Sequence, residues 1–140
     1  MAKGEKPARE HWKLEPEDHD FPAAHDYLSL LFPEPVAAGL VDELRGAPTR
    51  KGKAKDLLRA SCLELLPEDN VHVRADLDKV HGGQRLSPVL LVRGDGARAV
   101  PLTVADGYHR ICASHHIDEN AEVPYRMVSL APDDSERPGA

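Results

Sequence analysis

Apolar positions along the chain fall in short blocks whose spacing switches between helical and strand periods. Asp20-Phe21-Pro22 reads as a helix start, because Asp caps well and Pro is tolerated in the first turn. Tyr27, Leu28, Leu31 and Phe32 follow at helical spacing. Pro33 and Pro35 break that helix and start another, with Val36, Leu40, Val41 and Leu44 as its apolar stripe and Gly46 as its end. This predicts a helical hairpin whose apolar faces need a partner layer. A flexible, basic connector follows over residues 47–55. The run Cys62-Leu63-Glu64-Leu65-Leu66, stopped by Pro67, predicts a strand. Asp69 or Asn70 caps a helix through Val73, Leu77 and Val80, which Gly82-Gly83 ends. Pro88-Val89-Leu90-Leu91-Val92 predicts a strand, Gly94-Asp95-Gly96 a turn, and Val100-Pro101-Leu102-Thr103-Val104 the next strand. Asp106-Gly107 leads into a helix to about Ile117, and a last strand runs over 123–130. Two helices followed by strand, helix, strand, strand, helix, strand argue for an α+β or mixed-sheet domain, not a doubly wound parallel one.

The ends read differently. Residues 1–19 are dense in charge and predict a flexible N-terminus that packs only through Trp12 and Leu14, and residues 131–140 predict a flexible tail. The chain has 140 residues, and the folded part, about 20–130, fits one domain. Leu, Ile, Val and Phe together exceed the roughly 20% below which charged chains stay disordered, so a modest core forms. No segment repeats at a period of 20 to 50 residues.

Formal net charge is −6, which excludes a wholly basic nucleic-acid coat protein. That value is an average. Arg45, Arg50, Lys51, Lys53, Lys55 and Arg59 face a single acid, Asp56, within one segment, and the remainder is correspondingly more acidic. The two cysteines, Cys62 and Cys112, read as buried free thiols in a reducing compartment. No apolar run approaches the roughly 18 residues of a membrane span. The charged first ten residues lack the apolar stretch of a secretory signal, so a cytoplasmic protein with no membrane partner is expected.

Candidate chemistry concentrates in Asp106-Gly107-Tyr108-His109-Arg110. A strand delivers the chain to Gly107, which admits positive φ or close backbone approach, and a helix opens there. The unpaired amides of that helix start form an anion site, with His109 as a titratable donor and Arg110 as a bidentate cation. Cations in a first turn oppose the helix dipole, which an anion would offset. The alternative is structural: Arg110 pairs with Asp106 or another carboxylate, and His109 is a surface histidine.

This strand, the 106–110 turn, the helix and Val123-Pro124 opening a strand resemble the superfamily of ParB N-terminal domains and sulfiredoxins, including the ParB-like nuclease family. The helix with Leu77 and Val80, followed eight residues later by Pro88 and its aliphatic strand, agrees. The resemblance covers about residues 60–128 and implies a small mixed sheet with flanking helices over 60–130, preceded by the hairpin and connector over 20–59. It implies a phosphate or nucleotide site at Asp106, Gly107, Tyr108, His109 and Arg110, with Gly107 as the close-approach glycine and His109 and Arg110 as phosphate ligands. Sulfiredoxins place a nucleophilic cysteine where this chain has Tyr108, so sulfinic acid reduction is not expected. Partitioning ParB proteins carry a glutamate and two arginines in the turn, and Tyr108 and His109 replace the first two here. Free-serine kinases and ParB-like nucleases, often Asp-Gly-His-His-Arg, come nearest. The implied chemistry is phosphoryl transfer, nucleotide hydrolysis or nuclease action, with Mg²⁺ accompanying a nucleotide and Asp106 as the one carboxylate inside the motif. Lys79 stands where relatives often have Ser or Thr, and no role is transferred to it.

Two further features carry alternatives. The basic patch Arg50, Lys51, Lys53, Lys55 and Arg59 suits nucleotide or nucleic-acid phosphates, or is a solvated surface, and it offers no interleaved aromatic for base stacking. This leaves a non-catalytic nucleic-acid or protein-binding module as the second function, and a homo-oligomer is open. His109, Cys112 and His116 share a sector of one helix, but no fourth metal ligand is identifiable, and Cys112 equally suits a small core position.

Overall fold

A computed structural model of the chain describes residues 11–130. Its helices are α1 (Asp20–Leu28), α2 (Glu34–Gly46), α3 (Ala54–Ser61), α4 (Val71–His81) and α5 (Tyr108–Ile117). Its strands are β1 (Arg50–Lys53), β2 (Val89–Val92), β3 (Thr103–Asp106) and β4 (Glu122–Val128), and they form one mixed sheet in the order β1-β4-β2-β3. β4 pairs antiparallel with β1 and parallel with β2, and β2 pairs antiparallel with β3. The protein is a mixed α+β fold.

β2 explains the layering. All four of its residues are buried, and successive side chains of a strand point to opposite faces. Val89 and Leu91 join Leu57, Val73, Leu77, Ile111 and Val123 in one core, beneath α3, α4 and α5. Leu90 and Val92 join Phe21, Leu28, Leu40, Leu44 and Val128 in a second, beneath α1 and α2. Each fully buried Val or Leu contributes about 1.5–3 kcal/mol, so this central strand anchors both layers.

The hairpin packs on the sheet as its apolar faces require, α1 against β3 and α2 against β4. The stripe of α1 is nevertheless Phe21, Ala24 and Leu28. Tyr27 lies on the solvent face of the helix, and Leu31, beyond its end at Leu28, is also exposed. Asp20 does not cap it either. His19 occupies that position, and the Asp20 carboxylate is buried, accepting the Glu17 amide at 2.9 Å.

Four other expectations need correction. Residues 50–53 of the supposed flexible connector form β1, because β4 offers an open edge and Arg50 to Lys53 align with Tyr125 to Glu122. Residues 62–66 are not a strand. α3 ends at Cys62 in the left-handed conformation, φ 59°, and the extended segment beyond it lies along α5. Its carbonyls are satisfied by side chains: Tyr108 Oη donates to Glu64 O at 2.7 Å and His116 Nε2 meets Leu66 O at 2.7 Å. Cys62 is exposed rather than buried, whereas Cys112 is buried. β3 starts at Thr103, since Val100 turns back to bridge Asp95 and is half exposed.

At the N-terminal side, Trp12 is buried and bridges Leu86, while Leu14 is 86% exposed. Expectations for residues 1–10 and 131–140 lie outside the described residues. Among the described residues no helix is long and apolar enough to cross a membrane.

Candidate functional site

β3 and α5 meet at Gly107, whose φ of +115° only glycine adopts without strain. A Cβ there would lie 2.4 Å from Val89 Cγ1, so the bare backbone also lets the turn press against β2. A register shift between Leu90 and Leu91 sets Asp106 opposite Leu90, bending the ladder beside the turn. The first helical hydrogen bond of α5 runs from Ile111 N to Gly107 O, so the preceding amides open the helix without intrahelical partners.

α4 supplies the facing wall. Asn70 caps it, its side chain accepting the His72 and Val73 amides at 2.9 and 3.1 Å. Val73, Leu77 and Val80 go to the core, which turns His72, Asp76 and Lys79, spaced i, i+4 and i+7, toward the 106–110 turn. Between the two elements lies a polar pocket of about 250 Å³, lined by these three residues and by Asp106, Gly107, His109 and Arg110. The His72 and His109 rings stand 4.7 Å apart, tilted by 47°.

Four of the five residues singled out in the turn therefore share one pocket. Tyr108 does not line it, and its hydroxyl fixes the segment at Glu64 instead. Arg110 lines the pocket but is already committed. Nη2 donates to Asp106 Oδ2 at 2.9 Å and to Pro88 O at 3.3 Å, and Nη1 is 3.8 Å from the buried Asp20 Oδ1. This pairing with Asp106 is the structural alternative for Arg110. Its Nε is buried without a hydrogen-bond partner among the described residues.

Charge in the pocket is balanced, with Lys79 and Arg110 against Asp76 and Asp106. Burial raises the pKa of Asp106 above the ordinary carboxylate value, and nearby Asp20 raises it further, against the lowering pull of Arg110. Burial likewise raises Asp76, against the cations around it. His109 is lowered, first by burial and then by His72, so its imidazole is neutral at pH 7 and able to accept a proton. Asp76 makes no hydrogen bond or ion pair among the described residues, which leaves its oxygens available to a ligand, a cation or a proton.

The basic patch does not reach this pocket. Arg50, Lys51 and Lys53 are exposed on β1, Lys55 and Arg59 are on α3, and Arg59 is paired with Asp56 at 2.9 Å. Nor do His109, Cys112 and His116 form a metal centre: among the described residues no group of three or more such side chains is placed to hold an ion. Sequence reasoning missed His72 and Asp76 and gave Lys79 no role. Their helical spacing opposite Val73, Leu77 and Val80 was the available signal, but that spacing marks any solvated helix face.

No family model, curated protein or solved structure matches the chain.

Proposed function

We propose that the pocket between α4 and the 106–110 turn binds a phosphate-bearing ligand, a nucleotide being the class that the ParB-like resemblance implies. The observation that carries this reading is the convergence of Lys79, His72, His109 and the opening amides of α5 on one small cavity. At about 250 Å³ it is below the roughly 300–1,000 Å³ of pockets that enclose a whole small molecule, so it takes the phosphate end and leaves the rest outside.

The roles differ from those the resemblance implies. Arg110 holds the turn through Asp106 and Asp20, and Lys79, which has no ion pair among the described residues, is the pocket cation placed to meet phosphate. Asp76 and Asp106 are the oxygen donors that suit Mg²⁺ arriving on a nucleotide. Asp76, or neutral His109, is the group able to accept a proton from a hydroxyl or water in phosphoryl transfer, nucleotide hydrolysis or nuclease action.

The test is thermal stabilisation by nucleoside di- and triphosphates and by pyrophosphate, each with and without Mg²⁺. A ligand at 100 times its Kd stabilises by about 2.7 kcal/mol, and Lys79→Ala should reduce that shift without lowering the ligand-free Tm. Absence of a shift with every compound at millimolar concentration would sink the reading. Arg110→Ala is unsuitable here, since it also strips two carboxylates of their cation.

One observation favours a second reading, a non-catalytic nucleic-acid or protein-binding module: Arg50, Lys51 and Lys53 stand exposed along the β1 edge. Nucleic-acid binding through them would weaken steeply with salt and show no turnover, and salt-independent binding would count against it.

A further inference from the structure

A trough of about 690 Å³ crosses the sheet on its α3 side, floored by Tyr125 and Met127 of β4 and Leu91 of β2 and walled by Leu57 and Ala60 of α3. Its far end, past β2, holds Arg93 and Asp95, opposite charges that select no ion. Its near end is Gly52 of β1, the outermost strand, so the trough reaches the edge of the sheet. A Cβ at Gly52 would lie 3.2 Å from Tyr125 Cε2 and 3.6 Å from Leu57 Cδ2, so the bare backbone keeps that end clear. Glycine within a strand weakens it and often marks the close approach of a ligand or another backbone.

The edge itself is unpaired. β1 bonds to β4 on one side, and among the described residues no strand lies on the other. The register shows which groups are left over. Lys51 stands opposite Pro124, which has no N–H, so these two exchange no hydrogen bonds, and Arg50 and Gly52 make the bonds to β4. The Lys51 amide and carbonyl and the Lys53 amide consequently point outward.

Side chains alternate between the two faces in step with this pattern. Gly52, paired with Val123, and Arg50, paired with Tyr125, lie on the trough side. Lys51 and Lys53, paired with Pro124 and Glu122, lie on the opposite face. Arg50, Lys51 and Lys53 are exposed, and their side chains make no ion pair or hydrogen bond among the described residues. Asp56, at the trough, is paired with Arg59 at 2.9 Å.

An added strand would bond to the outward groups of Lys51 and Lys53 and set one side chain beside Gly52 at the trough mouth. Its two flanking residues would stand against Lys51 and Lys53 on the other face. The first position suits a large apolar group and the flanking positions suit acids. A second copy of β1 does not fit, because it would bring its own cations against these, the usual protection of an exposed edge. We infer that the β1 edge binds an extended peptide by strand addition, with a large apolar side chain in the trough between two acidic residues. This gives the second reading above its partner class and rests on that reading.

The probe is a fluorescein-labelled peptide of about six residues, the usual strand length, with a central Glu-Phe-Glu. Anisotropy should show saturable binding below about 1 mM. Replacing the phenylalanine by alanine should weaken it at least about tenfold, and replacing both glutamates by glutamine should weaken it and remove most of its salt dependence. Methylating alternate backbone amides should abolish binding in one register and spare it in the other, because only one set of amides faces β1. In the protein, Lys51→Gln with Lys53→Gln should weaken the glutamate peptide and spare the glutamine one. Gly52→Val and Ala60→Phe should each weaken the phenylalanine peptide with the fold intact by circular dichroism. No binding by about 1 mM, equal binding of the phenylalanine and alanine peptides, or tolerance of both methylated registers would each overturn the inference. A single-stranded oligonucleotide bound through Lys51 and Lys53 but indifferent to Gly52→Val would also overturn it while leaving the second reading in place. Failure of peptide and oligonucleotide together removes both.

Discussion

Gly107→Ala tests whether the 106–110 turn depends on bare backbone. Two costs add. An L residue at φ +115° sits where side chains are strained, at about 1–2 kcal/mol. The new methyl would lie 2.4 Å from Val89 Cγ1 and 2.8 Å from Val89 Cβ, and Val89 is fully buried in the α3/α4/α5 core with little room to yield. Forcing one extra methyl into a packed core costs about 1–3 kcal/mol. The sum, about 2–5 kcal/mol, is a large part of the roughly 5–15 kcal/mol that holds a domain folded. Urea denaturation at pH 7 measures it as a drop in midpoint at unchanged slope. Val89→Ala separates the two costs, because the smaller side chain opens space for the new methyl. The double variant should therefore be more stable than the sum of the singles by about 1–3 kcal/mol, the steric part alone. A single variant within about 0.5 kcal/mol of the parent, or strict additivity in the double variant, would refute the reasoning.

Arg110→Ala should destabilise by about 3–5 kcal/mol in calorimetry or urea, since it leaves Asp106 and the buried Asp20 without their shared cation, and adding Asp20→Asn should recover part of the loss. Burial raises the Asp76 pKa, so the folded protein binds that proton more tightly than the unfolded chain and loses stability as pH climbs through the raised value. Asp76→Asn should accordingly be more stable than the parent at pH 7, with the gap closing as pH falls toward 4; an equal gap at both would contradict it. Asn70→Ala should cost about 1 kcal/mol in urea by freeing the His72 and Val73 amides, and should weaken phosphate-ligand binding because α4 then frays at His72.

What was legible in the sequence follows physical strength. β2, α4, α5 and β4 were readable because β2 is buried throughout, the other three each carry a buried apolar face, and their boundaries carry Pro, Asn or Gly signals. β1 was not. Its Arg-Lys-Gly-Lys sequence has no strand character of its own, and it is a strand only because β4 presents an open edge. Residues 62–66 misled in the opposite direction, being apolar like a strand yet held by Tyr108 and His116 side chains from α5. The turn was found from local spacing alone, but its facing residues, His72, Asp76 and Lys79, become a site only when α4 is folded against it. Proximity across 30 residues leaves no periodic trace.

The triad of Asp20, Asp106 and Arg110 bears on the proposed ligand as well as on stability. Asp20 opens α1, Asp106 ends β3, and Arg110 lies in the first turn of α5, so the hairpin and the proposed phosphate pocket share one electrostatic unit. Two carboxylates meet one guanidinium there, and Asp76 adds a third acid to the pocket wall. A bare phosphate entering beside Arg110 meets a guanidinium already engaged by two carboxylates, with Asp76 close by, which opposes the attraction of Lys79 and the α5 amides. Only two events relieve it. Acidification protonates Asp106 and Asp76, whose raised pKa values bring that step nearer to neutrality, and charges His109. Alternatively, a divalent cation on the phosphate turns the same carboxylates from repelling groups into ligands. Under the proposed function the pocket should therefore take a metal-bearing phosphate at neutral pH in preference to a free one, a preference that would arise from the acids around Arg110 rather than from the cations.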